Sequence, residues 1–239
     1  MLLFFQKRHT FFAFSCISQN NFVILRPVSS CVRLCMRTRK GTMKVAIVKY
    51  NAGNIFSVIN AVKRLGIEPL WTDNAEELLS ADRVIFPGQG EASHAMAYLR
   101  ERGLDNVIRD MKQPVLGICI GQQLLCKHSE EGNTDCIGVF PMEVKRFQPK
   151  RHEDKIPQMG WNSLYDLKSP LFKGLKEKDF VYFVHSYYVP LHEEFTIAKT
   201  DFILPYSAAI NKDNFYSTQF HPEKSGSVGE TIIKNFLDI

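Results

Sequence analysis

The segment at residues 114–126 constrains the fold of this chain more than any other. Residues 115–118 are a short apolar run of the kind that forms a buried strand, and residues 121–128 are expected to begin a helix. Cys119 therefore falls on the turn between a strand and a helix, where the first helical N–H groups have no partner within the helix. A side chain on such a turn stands at the carboxyl edge of a sheet, where parallel sheets bind their ligands.

Gly117 and Gly121 lie two residues before and after Cys119. This is the spacing of a strained nucleophile turn, in which a Cβ at either position would collide with neighbouring backbone. The start of a helix also favours a thiolate over a thiol. The same short pattern is compatible with a buried structural cysteine, so Cys119 alone does not identify a nucleophile.

The length and charge of the chain exclude several classes of protein. The 239 residues, 45% of them hydrophobic, are enough for one domain with a full core. The net charge is +5, but residues 1–42 carry +7 and no acidic residue, so the rest of the chain carries −2. That part lacks the basic face of a nucleic-acid-binding protein. Its apolar runs are shorter than the roughly 18 residues that a transmembrane helix needs.

Residues 1–42 combine aromatic clusters with scattered arginines and show neither a helical nor a strand period. We predict that they form an N-terminal extension that is disordered or not native; an Arg-rich, acid-poor transit peptide is the alternative. Three cysteines follow this segment, at positions 119, 126 and 136. Their spacing fits neither a disulfide framework nor a metal site, which favours the reducing cytoplasm.

From residue 43 onward, strand-like and helix-like segments alternate. The expected order is strand 44–49, helix 55–65, strand 70–71, helix 75–79 capped by Asn74, and strand 83–86. This alternation predicts an α/β fold, a three-layer sandwich whose mostly parallel central sheet has helices on both faces. Beyond Gly132 the expected strands 181–184, 196–199 and 216–220 are separated by turns, which predicts antiparallel additions, and a last helix is expected at 228–237.

A second loop at the same edge of the sheet is Pro-Gly-Gln-Gly at residues 87–90, after the third strand. Gly88 and Gly90 allow a backbone to approach a ligand closely and to turn its N–H groups toward it, as a developing oxyanion requires. The motif also occurs in ordinary turns, so it gains meaning only beside Cys119.

His221-Pro222-Glu223 follows the last expected strand. Residues two apart in an extended chain project to the same side, so His221 and Glu223 are expected to lie side by side, with Pro222 stiffening their link. His221 would take the proton from Cys119, and Glu223 would orient the imidazole and stabilise its cation. A surface turn is the alternative. His185, at the end of strand 181–184, is compatible with either a core or a site position.

Two motifs taken together resemble the class I glutamine amidotransferases. They are Gly-Ile-Cys-Ile-Gly-Gln-Gln at 117–123 and Gln-Phe-His-Pro-Glu-Lys-Ser at 219–225. Within that family, residues 87–90, 158–162 and 182–187 are similar to the glutaminase subunits of imidazole glycerol phosphate synthases. The resemblance covers residues 43–239, and it implies a flavodoxin-like fold and one glutamine amidotransferase domain.

The resemblance implies that Cys119, His221 and Glu223 form a triad that hydrolyses L-glutamine to glutamate and ammonia, with no metal or organic cofactor. The partner it implies is a separate cyclase with a (βα)₈ barrel, which receives the ammonia in a heterodimer. The cyclase would form imidazole glycerol phosphate and an aminoimidazole carboxamide ribotide in histidine biosynthesis. No nucleic acid and no membrane would take part, and the cytoplasm would be the location.

Further residues are carried over by resemblance alone. Gly88 and Gln123 would contact the glutamine, and the backbone N–H of Ile120 would be one oxyanion donor. The full sets are Gly88, Gln89, Gly90, Ile120 and Gln123 for the oxyanion and substrate, and Trp161, Tyr187 and Lys224 for the cyclase interface. The chain departs from the family at Gln89, where Val is more frequent, and at Ala52, where Pro or Cys is frequent. The first departure bears on how the 88–90 peptide completes the oxyanion hole.

Three other functions remain open at this point. One is a glutaminase that serves another acceptor, in anthranilate or carbamoyl phosphate synthesis. The second is a regulatory module that has the fold without turnover. The third is a free-standing cysteine hydrolase on the same fold.

Overall fold

The computed structural model describes residues 43–50, 53 and 55–239. The predictions made for residues 1–42 and the departure at Ala52 lie outside the described residues. The helices are α1 (Ile55–Arg64), α2 (Ala75–Leu79), α3 (Ala92–Glu101), α4 (Leu104–Arg109), α5 (Ile120–Leu125) and α6 (Gly226–Asp238). The strands are β1 (Val45–Val48), β2 (Leu70–Thr72), β3 (Arg83–Phe86), β4 (Val115–Ile118), β5 (Cys126–Ser129), β6 (Thr134–Asp135), β7 (Phe140–Arg146), β8 (Gln158–Ser163), β9 (Phe180–His185), β10 (Tyr187–Tyr188), β11 (Thr196–Asp201), β12 (Pro205–Lys212) and β13 (Phe215–Thr218).

The central sheet has seven strands in the order β11-β12-β13-β4-β3-β1-β2. The pairs from β13 to β2 are parallel, whereas β11 and β12 pair antiparallel with their neighbours. Smaller sheets join β10-β7-β5-β6 and the hairpin β8-β9. The predicted α/β fold with a mostly parallel sheet and antiparallel additions is confirmed.

The core lies on both faces of this sheet because successive strand residues point to opposite sides. In β3, Val84 and Phe86 pack into one apolar cluster, whereas Ile85 packs into the other. Helix α1 covers the second cluster with its buried side chains at helical spacing. At the start of α2, the Asn74 side chain accepts the N–H groups of Glu76 and Glu77, as its sequence predicts.

Two local predictions were wrong. Helix α5 ends at Leu125 instead of continuing to 128, because Cys126–Ser129 pairs with β6 and β7 as strand β5. Strand β13 is more than an antiparallel addition: its other edge pairs in parallel with β4, which brings the chain just after β13 beside the Cys119 turn. Helices α3 and α4 were not anticipated.

Candidate active site

Cys119 lies between β4 and α5 with φ 53° and ψ −106°. This region is rarely occupied by a residue with a Cβ and costs about 1–3 kcal/mol, so the surroundings must hold it. The backbone N–H of Cys119 donates to Thr218 at 2.7 Å. The start of α5 packs close against β3 because Gly121 has no Cβ; a Cβ there would collide with the Phe86 carbonyl oxygen. The strained strand–helix turn expected from the glycine spacing is therefore present, and the role of Cys119 as a nucleophile stays a prediction.

His221 and Glu223 lie side by side after β13. His221 Nδ1 is 2.7 Å from Glu223 Oε1, and the two side chains are 1% and 3% exposed. The geometric reason differs from the one proposed from the sequence, because Pro222–Lys224 is a 3-10 helix and not an extended segment. The tight turn brings the carboxylate under the ring.

The charge of His221 is set by opposing effects. Burial lowers the pKa of His221, but the interaction with Cys119 and the hydrogen bond and charge of Glu223 outweigh it and raise the pKa to about 10. Nε2 of His221 has no conventional hydrogen-bond partner among the described residues. The imidazole is therefore a cation at neutral pH, held on one side by a carboxylate and open on the side of the sulfur.

The His221 turn is tied to strand β9. His221 donates its backbone N–H to the Tyr182 carbonyl at 2.9 Å. The Tyr182 N–H in turn donates to Ser225 Oγ at 3.0 Å, and the Ser225 hydroxyl donates to the His221 carbonyl at 2.6 Å. This closed ring of bonds fixes the histidine backbone relative to the hairpin.

A cavity of about 510 Å³ opens beside the sulfur. Cys119 lines it together with most of the residues named from the sequence for substrate, oxyanion and interface: Gln89, Gly90, Ile120, Gln123, Tyr187 and Lys224. Gly88 and Trp161 do not line it. It also contains Glu131, which sequence reasoning missed. Burial raises the pKa of Glu131, while the Ala92 N–H, which donates to its Oε2 at 2.9 Å, opposes that shift. The only signal in the sequence was an acidic residue twelve positions after Cys119.

The 88–90 loop packs directly against the start of α5. A Cβ at Gly88 would collide with the Ile120 side chain, so this position requires glycine. The Gln89 carbonyl accepts the Gly53 N–H at 2.9 Å. The loop and the first turn of α5 thus lie together on one side of the sulfur.

Gln123 is buried, and its amide nitrogen approaches two acceptors. Nε2 lies 3.2 Å from the Tyr187 carbonyl and 3.1 Å from Gln219 Oε1. Both amide hydrogens are then used, so the atom that Gln123 can offer to a ligand is Oε1, an acceptor.

His185 is buried on the same side as the cavity and is bonded differently from His221. Nδ1 lies 2.7 Å from the Tyr187 carbonyl, and Nε2 lies 3.1 Å from the Tyr206 hydroxyl. Burial lowers the pKa of His185 to about 4; the bond to Tyr187 opposes this shift and the charge of His221 adds to it. His185 is therefore neutral at pH 7, with Nδ1–H as the donor to the carbonyl.

The hairpin β8-β9 presents apolar side chains to solvent. Met159, Trp161 and Phe180 are 67%, 57% and 56% exposed, and Trp161 packs edge-on against the Tyr182 ring at 6.0 Å. Of the residues predicted for the interface, Trp161 lies on this face, whereas Tyr187 and Lys224 lie at the cavity. We call Met159, Trp161, Phe180 and Tyr182 the hairpin face.

Metal ligands and membrane spans can be assessed over the described part of the chain. No group of three or more His, Cys, Asp or Glu residues there is arranged to hold a metal ion. Within the same residues, no helix has the length and apolarity that crossing a membrane requires.

A cysteine on a strained strand–helix turn, a buried histidine–carboxylate pair facing it and a glycine loop beside it define the class of cysteine-dependent amidotransferases on an α/β sheet. Residues 46–239 match the family described as glutamine amidotransferase class-I. The chain therefore belongs to the class-I glutamine amidotransferase family.

Relatives narrow this assignment to one group of the family. The chain is 62% identical over 197 residues to the imidazole glycerol phosphate synthase subunit HisH of Bacteroides fragilis, covering 82% of this chain and 100% of that protein. It is 41% identical over 211 residues to the HisH subunit of Neisseria meningitidis, with the same shares. These relatives place the chain in the HisH group.

Solved structures of lower sequence identity share the fold. A putative GMP synthase protein from Thermoplasma acidophilum superposes with a TM-score of 0.65 at 21% identity, covering 82% of this chain and 93% of that one. At this identity the likeness shows the fold alone.

Proposed function

We propose that the chain is the glutaminase subunit of an imidazole glycerol phosphate synthase, acting in the cytoplasm in histidine biosynthesis. It would hydrolyse L-glutamine to glutamate and ammonia and pass the ammonia to a cyclase subunit. The observation that carries this proposal is the buried His221–Glu223 pair facing Cys119, in a chain 62% identical to a HisH subunit.

Acylation starts from a thiolate and an imidazolium. The Cys119 thiolate attacks the side-chain carboxamide carbon of glutamine and forms a tetrahedral oxyanion. His221, protonated at neutral pH because its pKa is raised to about 10, gives its proton to the leaving nitrogen. The C–N bond breaks, ammonia leaves, and a glutamyl thioester remains on the sulfur.

In deacylation His221 must act as a base, and acylation of Cys119 converts His221 from a proton donor into a proton acceptor. Cys119 is one of the groups that raise the pKa of His221. The ring has given its proton to the leaving ammonia, and the acylated sulfur carries no charge, so the lowered pKa of His221 keeps the ring neutral and able to act as a base. The ring then takes a proton from the water that attacks the thioester. As the proton moves to the ring, the water oxygen bonds to the thioester carbon, the C–S bond breaks, glutamate leaves, and the thiolate and imidazolium return.

The oxyanion of both steps would be stabilised by backbone donors. The Ile120 N–H lies in the first turn of α5, where the N–H groups have no partner within the helix. A second donor would come from the 88–90 loop, which packs against Ile120. Loss of one such donor typically costs about a hundredfold or more in rate.

The charge pattern of the cavity suits an amino acid substrate. Glu131 and the free Oε1 of Gln123 are both acceptors, and together they would bind the α-ammonium group of glutamine. Lys224 lies in the same cavity and offers a cation for the α-carboxylate or for the partner.

The hairpin face supports a partner at this edge of the molecule. Tyr182 and Val184 of the hairpin also line the cavity, so the exposed apolar surface is continuous with the site. Ammonia becomes protonated in water near neutral pH, and an apolar interface would keep water away from its path. We propose that the barrel of the cyclase covers the hairpin face.

Glutamate release from glutamine tests the proposal. We expect weak release by the chain alone and a large increase when a cyclase subunit is present with its ribotide substrate or an analogue. Cys119→Ala should abolish release in the complex. Full activity of Cys119→Ala would contradict the triad, and activation by an anthranilate-forming subunit instead of the cyclase would assign the glutaminase to a different acceptor.

A further inference from the structure

Besides His221, two polar groups of the described chain have a recorded hydrogen-bond contact with the sulfur of Cys119. The Val184 carbonyl oxygen lies 3.9 Å from Sγ, and the side-chain amide nitrogen of Gln219 lies 3.8 Å from it. A carbonyl accepts a hydrogen and favours a protonated sulfur, whereas an N–H donor favours the thiolate. Which atom of the Gln219 amide faces the sulfur therefore affects its reactivity.

The orientation of Gln219 follows from its partners. The Tyr187 backbone carbonyl can only accept, so the NH₂ group of Gln123 must face it across 3.2 Å. The second hydrogen of that NH₂ group points to Gln219 across 3.1 Å, where it requires an acceptor. Gln219 must present its Oε1 there and turn its own NH₂ group toward Cys119.

Burial keeps this arrangement in place. Gln219 and Gln123 are 0% and 3% exposed, so water does not compete for their amides. The backbone N–H of Gln219 donates to the Ala208 carbonyl at 2.7 Å, which fixes the position of the residue. The Tyr187 carbonyl also accepts from the neutral His185, so its two lone pairs are both engaged and Gln123 cannot reverse.

We infer that Gln219 is a further catalytic residue, whose amide N–H donates to the Cys119 sulfur and stabilises the thiolate against the opposing Val184 carbonyl. Gln123 sets the orientation of this amide, so it would act on the nucleophile as well as on the substrate. The inference rests on the proposed function in that Cys119 is taken as the nucleophile.

Other groups near the sulfur stay unchanged when Gln219 is replaced. His221 faces the sulfur from the turn after β13, with Glu223 behind it. The Tyr50 and Tyr206 hydroxyls also lie close enough for Cys119 to contribute to their raised pKa values, after the larger effect of burial. The wild type and the Gln219 variants share these groups, so a difference in the reactivity of the sulfur between them is attributed to Gln219.

Gln219→Met removes the donor and keeps the side-chain volume. The rate of alkylation of Cys119 by iodoacetamide, followed at the Cys119 peptide by mass spectrometry over a range of pH, reports the thiolate. We expect the midpoint of this profile in the full chain to rise by about one pH unit. We expect kcat/KM for glutamate release in the cyclase complex to fall about tenfold.

Gln122→Met is the matched control. Gln122 precedes Gln123 on α5 and is 0% exposed, but its amide donates to the Ser207 carbonyl. Gln122→Met should destabilise the chain without moving the alkylation midpoint. Gln219→Leu, whose side chain has a different shape, should move the midpoint as Gln219→Met does.

An unchanged midpoint in both Gln219 variants would overturn the inference, as would an equal shift in Gln122→Met. A wild-type complex that releases no glutamate while the Gln219 variants still move the midpoint would refute the proposed function and leave the assignment of Gln219 in place.

Discussion

His221 and His185 are both buried and close enough for the charge of one to affect the other, yet at neutral pH one is a cation and the other is neutral. The His221 side chain is 1% exposed and its pKa is raised to about 10. His185 is 7% exposed and its pKa is lowered to about 4. At neutral pH His221 therefore carries protons on both ring nitrogens, whereas His185 carries a proton on one.

The difference comes from the partners and not from burial, which lowers the pKa of both rings. Cys119 and, after it, Glu223 more than compensate for burial at His221. His185 faces a backbone carbonyl and a hydroxyl, which are uncharged, and the positive His221 lowers its pKa further. Burial alone therefore does not distinguish a charged from a neutral histidine in this molecule. The charge of the groups that contact each ring does.

Replacing each histidine breaks the comparison most directly. His221→Asn removes the acid and base of both steps, and we expect kcat for glutamate release in the cyclase complex to fall at least about 10⁴-fold. His185→Gln removes no group that transfers a proton in the proposed reaction and should cost far less. Similar losses in the two variants would contradict the separation of roles.

Glu223→Gln keeps a hydrogen-bond acceptor for His221 Nδ1 but removes the charge. Because the carboxylate raises the pKa of His221, the variant should have a lower pKa at this ring, although Cys119 still contributes. We expect kcat to fall about 10²- to 10⁴-fold, and the ring signals of ¹³C-labelled histidine should titrate at lower pH. An unchanged titration would show that Glu223 only positions the ring.

Much of this framework was accessible from the sequence because its signals are local. The apolar run of β1, the cap at Asn74 and the glycines around Cys119 each depend on neighbours within a few residues, and all were predicted. Helix α3 had a local signal too, since its buried Ala92, Ala95, Met96 and Leu99 repeat at helical spacing. That element was missed although its pattern was present.

What the sequence did not reveal depends on distant pairing. Helix α5 stops at Leu125 because the next residues join β6 and β7, a tertiary contact that overrides helix propensity. The orientation of Gln219 depends on Gln123, 96 residues earlier. The neutral state of His185 depends on burial in the folded chain and on the charge of His221, 36 residues later, and no short motif encodes such a pair.

Tyr206→Phe sharpens the comparison on the His185 side. The Tyr206 hydroxyl donates to Gln158 Oε1 at 2.8 Å and lies 3.1 Å from His185 Nε2. The variant removes this hydroxyl from both buried acceptors, which should lower the free energy of unfolding by about 1–3 kcal/mol. Tyr165→Phe is the control, because its hydroxyl bonds to Asp201 at an exposed site and its loss should cost less. Urea unfolding of the full chain measures both, and equal losses would argue against a buried hydrogen-bond chain through His185.

The opposite pKa shifts should also tilt the stability of the protein in opposite directions with pH. His185 binds a proton below about pH 6.5 in the unfolded chain but only below about pH 4 in the folded chain. The free energy of unfolding therefore decreases as pH falls from about 6.5 to about 4. The folded chain keeps the proton on His221 up to about pH 10, so that stabilisation is full below about 6.5 and is lost as pH rises. His185→Gln should therefore flatten the acid side of the curve of unfolding free energy against pH, and His221→Gln the alkaline side, each by at most about 1.4 kcal/mol per pH unit. Carboxylates add to the acid side in every variant, so the difference from wild type is the quantity to compare. If His185→Gln changed the alkaline side and left the acid side as it was, the assignment of a neutral His185 beside a charged His221 would be wrong.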